Sequence, residues 1–283
     1  MDGHSRKNKP QKPRVHRLGH LSETLNSFSH PNGLHMIRTV VILLWVFLIT
    51  VVCACLAITL SLFGKGGDLP HLAGRFWGKS VLLVSRVKVR VQGLHHIAPH
   101  APYIFMANHQ SMFDILALLG YLPVQFRWLA KKELFQIPVF GLSMARVGYI
   151  SIDRSNRKAA HKSLLEAAQK IAQGVSVIIF PEGSRSADGR IKPFKAGGFH
   201  LAVRSARPIV PVVIYGTHHV LPKGSLRIRP GLVVISIHAP VETACYNNKT
   251  KKALMETIRS IMKQDLQRMK ASLSSGHPSW YRE

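Results

Sequence analysis

Between Val40 and Phe63 the chain runs for 24 residues without a charged side chain. As a helix such a run is about 36 Å long, enough for a hydrocarbon core of about 30 Å. Arg38 and Lys65 bracket it. A cleaved signal peptide is shorter and starts nearer the N-terminus, so this run predicts a helix that stays. Residues 70–86 predict a second helix. There Leu72, Phe76, Trp77, Val81, Leu82 and Val84 alternate with Arg75, Lys79 and Arg86, a mixture suited to lying in a membrane interface rather than crossing it. Residues 1–35, rich in Lys, Arg, His, Asn, Ser and Pro, read as a basic disordered tail. Its Arg6, Lys7, Lys9, Lys12, Arg14 and Arg17 suit anionic lipid headgroups, and equally a plain solvated tail.

From Val87 onward the pattern changes. Val87–Val91 alternates with period two, and Tyr103–Ala107, Phe126–Ala130, Tyr149–Ile152, Val175–Phe180, Ile209–Tyr215 and Leu232–His238 are short apolar runs of strand length. Asn156–Gln173 carries a helical stripe of Leu164, Leu165, Ala168, Ile171 and Ala172 that Gly174 ends, and Leu254–Leu273 reads as another helix. Strands alternating with helices predict an α/β domain with a mixed, mostly parallel sheet flanked by helices. The chain therefore divides into a tail (1–35), a membrane-associated helical region (36–86) and an α/β domain (87–283).

Lys and Arg number 39 against 13 Asp and Glu, a net charge of +26. Such an excess calls for anionic partners. Nucleic acid is disfavoured, because no reading helix, zinc finger or RNA-binding aromatic motif is present. Cys53, Cys55 and Cys245 have neither metal nor disulfide spacing, and the histidines form no metal cluster. No metal site is expected.

Asn108-His109-Gln110-Ser111-Met112-Phe113-Asp114 follows the Tyr103–Ala107 strand directly. Histidine is the side chain best suited to take and return a proton near neutral pH, and a carboxylate beside it fixes the tautomer. Five positions apart in one helix, the two side chains would point about 140° apart. They meet only if His109 sits on the turn before a helix and Asp114 in its first turn. The same residues also read as a capping box, with Ser111 as N-cap. Three further blocks follow in order: Gly148–Arg154, Phe180-Pro181-Glu182-Gly183-Ser184-Arg185-Ser186, and Ile209–Ile214.

In this order and spacing the four blocks resemble the glycerolipid acyltransferases, in particular the lysophosphatidic acid acyltransferases. Ala130–Leu134 and Phe194–Gly198 match as well, and the resemblance spans roughly residues 70–240. Ser184 stands where the family often has Thr, and keeps the hydroxyl. The resemblance implies the fold of that family, with an N-terminal membrane-associated helical segment. It implies catalysis by His109 and Asp114. Binding of the acceptor's glycerol phosphate would fall to Arg154, Glu182, Gly183, Ser184 and Arg185, with Lys195 adding charge. Glu182 would hold a glycerol hydroxyl or lock Arg185.

The implied reaction moves a fatty acyl group from acyl-CoA or acyl carrier protein to the sn-2 hydroxyl of lysophosphatidic acid, making phosphatidic acid, with no cofactor besides the thioester donor. Alternatives are transfer to another lysolipid or to glycerol 3-phosphate, or a catalytically dead membrane protein that binds anionic lipids. Lysophosphatidic acid, the thioester and anionic membrane lipids are the expected partners. The expected location is a membrane, on compact size a bacterial inner membrane, with the catalytic domain facing the cytoplasm. A basic tail and an acyl-CoA-dependent domain both belong on the cytoplasmic side, which one full crossing cannot satisfy. Either the two segments form a re-entrant helical hairpin or the tail lies outside, and the two-helix membrane motif of the resembled family favours the hairpin.

Overall fold

The computed structural model describes residues 31–64, 66–153 and 157–274. The basic tail up to residue 30 and Arg154 lie outside the described residues. The chain divides into two units, Met1–Arg38 and Thr39–Glu283. The second unit carries most of the helical hairpin and the whole α/β domain.

Helices α1 (Pro31–Leu60) and α2 (Asp68–Val84) come first. From residue 39 onward α1 pairs with α2 as an antiparallel hairpin. Trp45 Nε1 donates to Ser80 Oγ at 3.0 Å and Trp77 Nε1 to Thr50 Oγ1 at 2.9 Å, while Ala57 and Ala73 share a small cluster. These partners advance in opposite senses along the two helices. The uncharged run does not stay helical to Phe63, because Ser61–Phe63 form the turn. Met36–Leu60 is long and apolar enough to cross a membrane, yet only 28% of its most apolar 18-residue stretch, of mean hydropathy 3.1, is buried in protein. Helix α2 does more than lie in an interface. Its Ala73, Val81 and Leu82 are fully buried, and it packs on α3 (Phe113–Tyr121). Gly78 makes that approach possible, since a Cβ there would sit 2.8 Å from the Leu116 carbonyl oxygen.

Among the described residues seven strands follow: β1 (Val87–Gln92), β2 (Ile104–Ala107), β3 (Arg127–Lys131), β4 (Ile150–Ile152), β5 (Val177–Ile179), β6 (Ile209–Tyr215) and β7 (Gly231–Ile237). They form one sheet in the order β1-β7-β6-β2-β5-β3-β4, parallel at every neighbour except the antiparallel pair β6–β7. The remaining helices are α4 (Phe140–Arg146), α5 (Arg157–Ala172), α6 (Ala196–Ser205), α7 (Thr217–Val220) and α8 (Lys251–Ser274). Gly174, at φ +95°, ends α5.

Alternation along the central strands sorts the core into two layers. Phe105 and Ala107 of β2, Ile178 of β5, and Val210, Val212 and Ile214 of β6 face α1, α2 and α3. Ile104, Met106, Val177, Ile179, Ile209 and Val213 face α5, α6 and α8. Leaving β2, the chain enters α3 on the first face. Leaving β5, it reaches α6 on the second. Connections that part at neighbouring parallel strands open a crevice at their C-terminal ends.

Arg127 ties the hairpin to the sheet. Its buried guanidinium donates to the Gly66 carbonyl and to Asp68 Oδ1, both at 2.6 Å. Hydrogen bonds from a charged donor contribute about 1.5–3 kcal/mol each, and the 70% exposure of the Asp68 side chain puts that bond at the low end.

Candidate active site

His109 stands on the turn after β2 and Asp114 in the first turn of α3, the one arrangement that lets side chains five positions apart meet. His109 Nδ1 lies 2.8 Å from Asp114 Oδ2. A carboxylate only accepts, so Nδ1 carries the proton and Nε2 keeps its lone pair. Asp114 is fully buried and four donors surround its two oxygens. Oδ2 also accepts the Gln110 and Ser111 N–H groups at 2.6 and 2.8 Å, and Oδ1 accepts the Thr217 hydroxyl at 2.5 Å. These charge-assisted bonds fix the carboxylate before any substrate arrives.

Only half of the expected capping box forms: the N-cap of α3 is Met112, and the Asp114 N–H goes to the Ser111 carbonyl rather than its hydroxyl. Asp114 takes the Ser111 N–H, and Ser111 Oγ accepts the Phe113 N–H at 3.2 Å while donating to the Leu221 carbonyl at 2.8 Å. The bonds that begin the helix also set the carboxylate under the imidazole.

Two aromatic rings back the dyad. The His109 ring stacks on Phe180 at 4.0 Å and 13°, and Phe180 stacks on Trp128 at 5.5 Å. The His109 side chain is 13% exposed, so it can be reached at an edge while the stack excludes water from its face. Asn108 fastens the turn to β6, donating to the Ile214 carbonyl at 2.9 Å and accepting the Ile214 N–H at 2.7 Å.

The loop after β5 brings in the second group. Glu182 is buried, and its two oxygens accept the backbone N–H groups of His109, at 2.8 Å, and Lys192, at 2.9 Å. It thus braces the His109 turn against its own loop, where the sequence reading gave it a glycerol hydroxyl or Arg185. Burial pushes its pKa from 4.5 up to about 7; the two backbone N–H groups and Lys192 oppose the rise, and Asp114 adds to it. The Ser186 N–H donates to the His109 carbonyl at 2.7 Å, a further stitch between loop and turn.

Gly183 has φ +72°, and a Cβ there would lie 3.0 Å from Lys195 Cδ and Cε, so the Lys195 side chain crosses directly over the glycine. Ser184 is exposed and accepts from Lys192 Nζ at 2.6 Å. Arg185 is half-buried, and its guanidinium has no ion pair or hydrogen bond among the described residues. His109, Asp114, Glu182, Gly183, Ser184, Arg185 and Lys195 therefore fall on the two segments that leave the C-terminal ends of the neighbouring central strands β2 and β5. In the second block, Asp153 pairs with Lys132 at 3.1 Å. Thr217, Asn108, Phe180 and Lys192 are site residues that the sequence reading did not single out. Among the described residues no three His, Cys, Asp or Glu side chains are grouped to hold a metal ion.

Residues 88–215 match the model of the Acyltransferase family. Over 176 residues the chain is 38% identical to a 1-acyl-sn-glycerol-3-phosphate acyltransferase of Limnanthes douglasii, a match that covers 62% of each chain. Over 177 residues it is 36% identical to the human 1-acyl-sn-glycerol-3-phosphate acyltransferase alpha, again 62% of each. The chain thus spans about three fifths of the length of these curated relatives. Among solved structures, the 1-acyl-sn-glycerophosphate (LPA) acyltransferase PlsC from Thermotoga maritima superposes with a TM-score of 0.72 at 28% identity. That match covers 84% of this chain and 98% of the other.

Proposed function

We propose, for a chain whose residues 88–215 belong to the acyltransferase family, that it transfers a fatty acyl group from a thioester to the sn-2 hydroxyl of lysophosphatidic acid, making phosphatidic acid. The observation that carries the reading is the buried Asp114 holding His109 with Nε2 free to accept a proton. His109 Nε2 removes the hydroxyl proton as that oxygen attacks the thioester carbonyl. The tetrahedral intermediate collapses by breaking the carbon–sulfur bond, and the departing thiolate takes the proton back from His109. The acceptor hydroxyl is the nucleophile, so no acyl-enzyme is formed and no cofactor besides the donor is used. The N–H groups of His109, Gln110 and Ser111 already have acceptors, so oxyanion donors come from elsewhere.

Arg185 and Lys195 hold the acceptor phosphate, Arg185 through its planar fork and Lys195 as a point charge. Ser184 and the close backbone at Gly183 complete that side. Arg154 belongs with them by the second block. Glu182 acts through His109 and the Lys192 N–H as a positioning residue. The α1–α2 hairpin docks the domain to one membrane face, where the acceptor resides. The basic excess favours anionic lipid there, and an inner membrane with the domain towards the cytoplasm suits a soluble donor.

The test is acyl transfer by purified protein, with acyl-CoA or acyl carrier protein thioester as donor and lysophosphatidic acid, other lysolipids or glycerol 3-phosphate as acceptor. His109→Ala should lose about 100- to 10,000-fold in rate while staying folded. Activity above about a tenth of wild type in that variant removes the general base. Turnover with another acceptor alone reassigns the substrate, and none with any pair indicates a binding protein.

A further inference from the structure

On the second face of the sheet, beyond the catalytic loops, a groove of about 320 Å³ runs between Arg190 and Ile191 on one side and Lys263, Leu266, Gln267 and Lys270 of α8 on the other. Lys263, Gln267 and Lys270 recur at helical spacing, so they line one stripe. Ile191 and Leu266 are buried beneath them. Arg190 pairs only through Nε with Asp188, at 3.6 Å between two largely exposed side chains, a weak contact in water. The site is therefore cationic at its rim and apolar at its floor.

One backbone carbonyl links the rim of the groove to the turn that carries His109. The Gly189 carbonyl is approached by Gln110 Nε2, at 3.3 Å, from the catalytic turn and by Lys270 Nζ, at 3.5 Å, from α8. One peptide group thus separates the residue after His109 from the basic stripe. The field extends to α7, where burial first, then His218, Lys270 and Arg229, lower the His219 pKa. The face matters too. The apolar hairpin and α3 cover the opposite side of the sheet, whereas the groove lies with α5, α6 and α8. A lipid acceptor comes from the hairpin side. A water-soluble donor is free to come from the other.

We infer that this groove binds the phosphates of a coenzyme A thioester, with Lys263, Lys270 and Arg190 on the nucleotide phosphates and the pantetheine arm leaving the groove over the surface towards His109. The inference rests on the acyl-transfer reading and on CoA as the donor. A phosphorylated nucleotide end matches the cations, and the less polar arm matches the floor of Ile191 and Leu266.

The probe is adenosine 3′,5′-bisphosphate, which has the nucleotide phosphates but neither thiol nor acyl chain. Its binding to the full chain in lipid nanodiscs is measured by calorimetry, beside inorganic phosphate and glycerol 3-phosphate. The bisphosphate should bind more tightly than either, and CoA, not lysophosphatidic acid, should displace it. The double variant Lys263→Ala/Lys270→Ala should weaken it about tenfold, and Lys263→Arg/Lys270→Arg should restore it. Equal binding in wild type and the alanine variant overturns the proposal, as does displacement by lysophosphatidic acid. So does a wild type that binds no bisphosphate and uses only acyl carrier protein thioester. Binding needs no turnover, so the two readings fail separately. Lysine-dependent binding without acyl transfer would leave the groove and remove the activity. Transfer from acyl-CoA with lysine-independent binding would do the reverse.

Discussion

Thr217 Oγ1 donates to Asp114 Oδ1 at 2.5 Å, joining residues 103 positions apart and linking the end of β6 to the first turn of α3. Asp114 is fully buried, so each of its bonds matters. Removing one donor from a buried carboxylate costs about 1.5–3 kcal/mol. Thr217→Val keeps the shape and deletes the hydroxyl. The variant should unfold at lower temperature and lose about tenfold in kcat with little change in KM, while Thr217→Ser recovers most of both. An unchanged kcat in Thr217→Val would separate the bond from catalysis.

Glu182 makes stability depend on pH. Its folded pKa, about 7, lies above the 4.5 of the unsupported side chain. Between those values the folded state holds more protons than the unfolded state, so unfolding free energy falls as pH rises from about 4.5 to about 7 and then levels off with respect to this group. Glu182→Gln removes that slope. It also turns an NH2 towards the N–H of His109 or Lys192, where two donors face each other, so activity should drop about tenfold or more. Denaturant titrations of both proteins across pH 4.5–8 check the sign. A wild-type slope no more negative than the variant's would refute the shift.

Arg185 has no partner among the described residues, and its planar fork suits a phosphate. Arg185→Lys should raise KM for lysophosphatidic acid by about tenfold, because one ammonium cannot reproduce two parallel bonds. KM for the thioester should move little. Equal rises in both KM values would point to a general disturbance of the loop.

The antiparallel pairing of α1 and α2 from residue 39 onward supports a re-entrant arrangement. Cysteines placed singly by Pro10→Cys and Trp280→Cys, in a chain with Cys53, Cys55 and Cys245 replaced by serine, report sidedness. Both should resist a membrane-impermeant thiol reagent in intact cells and react after permeabilisation. Reaction of position 10 alone from outside would establish a single crossing and end the re-entrant arrangement.

The seven strands were legible in the sequence because each is a short apolar run bounded by turn residues, and strand burial depends on little else. Helices α5 and α8 were legible for the same kind of reason, as long segments of helical period. Helices α4, α6 and α7 were not read, because they are short and their surroundings hold them in place. Pro211 sits inside β6, where prolines are rarely tolerated. The structure explains it: the regular β6–β7 ladder ends at Val212↔Ile237, and the Pro211 carbonyl accepts the His238 N–H.

By itself the sequence determined which residues could do proton chemistry, because His109 and Asp114 are local neighbours whose geometry a helix start fixes. It also determined that the N-terminal run needs an apolar surrounding, because 24 uncharged residues cannot be left in water. Only the tertiary structure decided what holds the dyad and what surrounds it. Thr217, Phe180 and Glu182 reach His109 and Asp114 from the segments after β6 and β5, far away in the chain, and strand order rather than residue type puts them there. Tertiary structure also decided that the hairpin and the basic groove lie on opposite faces of the sheet. That separation follows from the side on which each connecting helix packs, which no local pattern encodes.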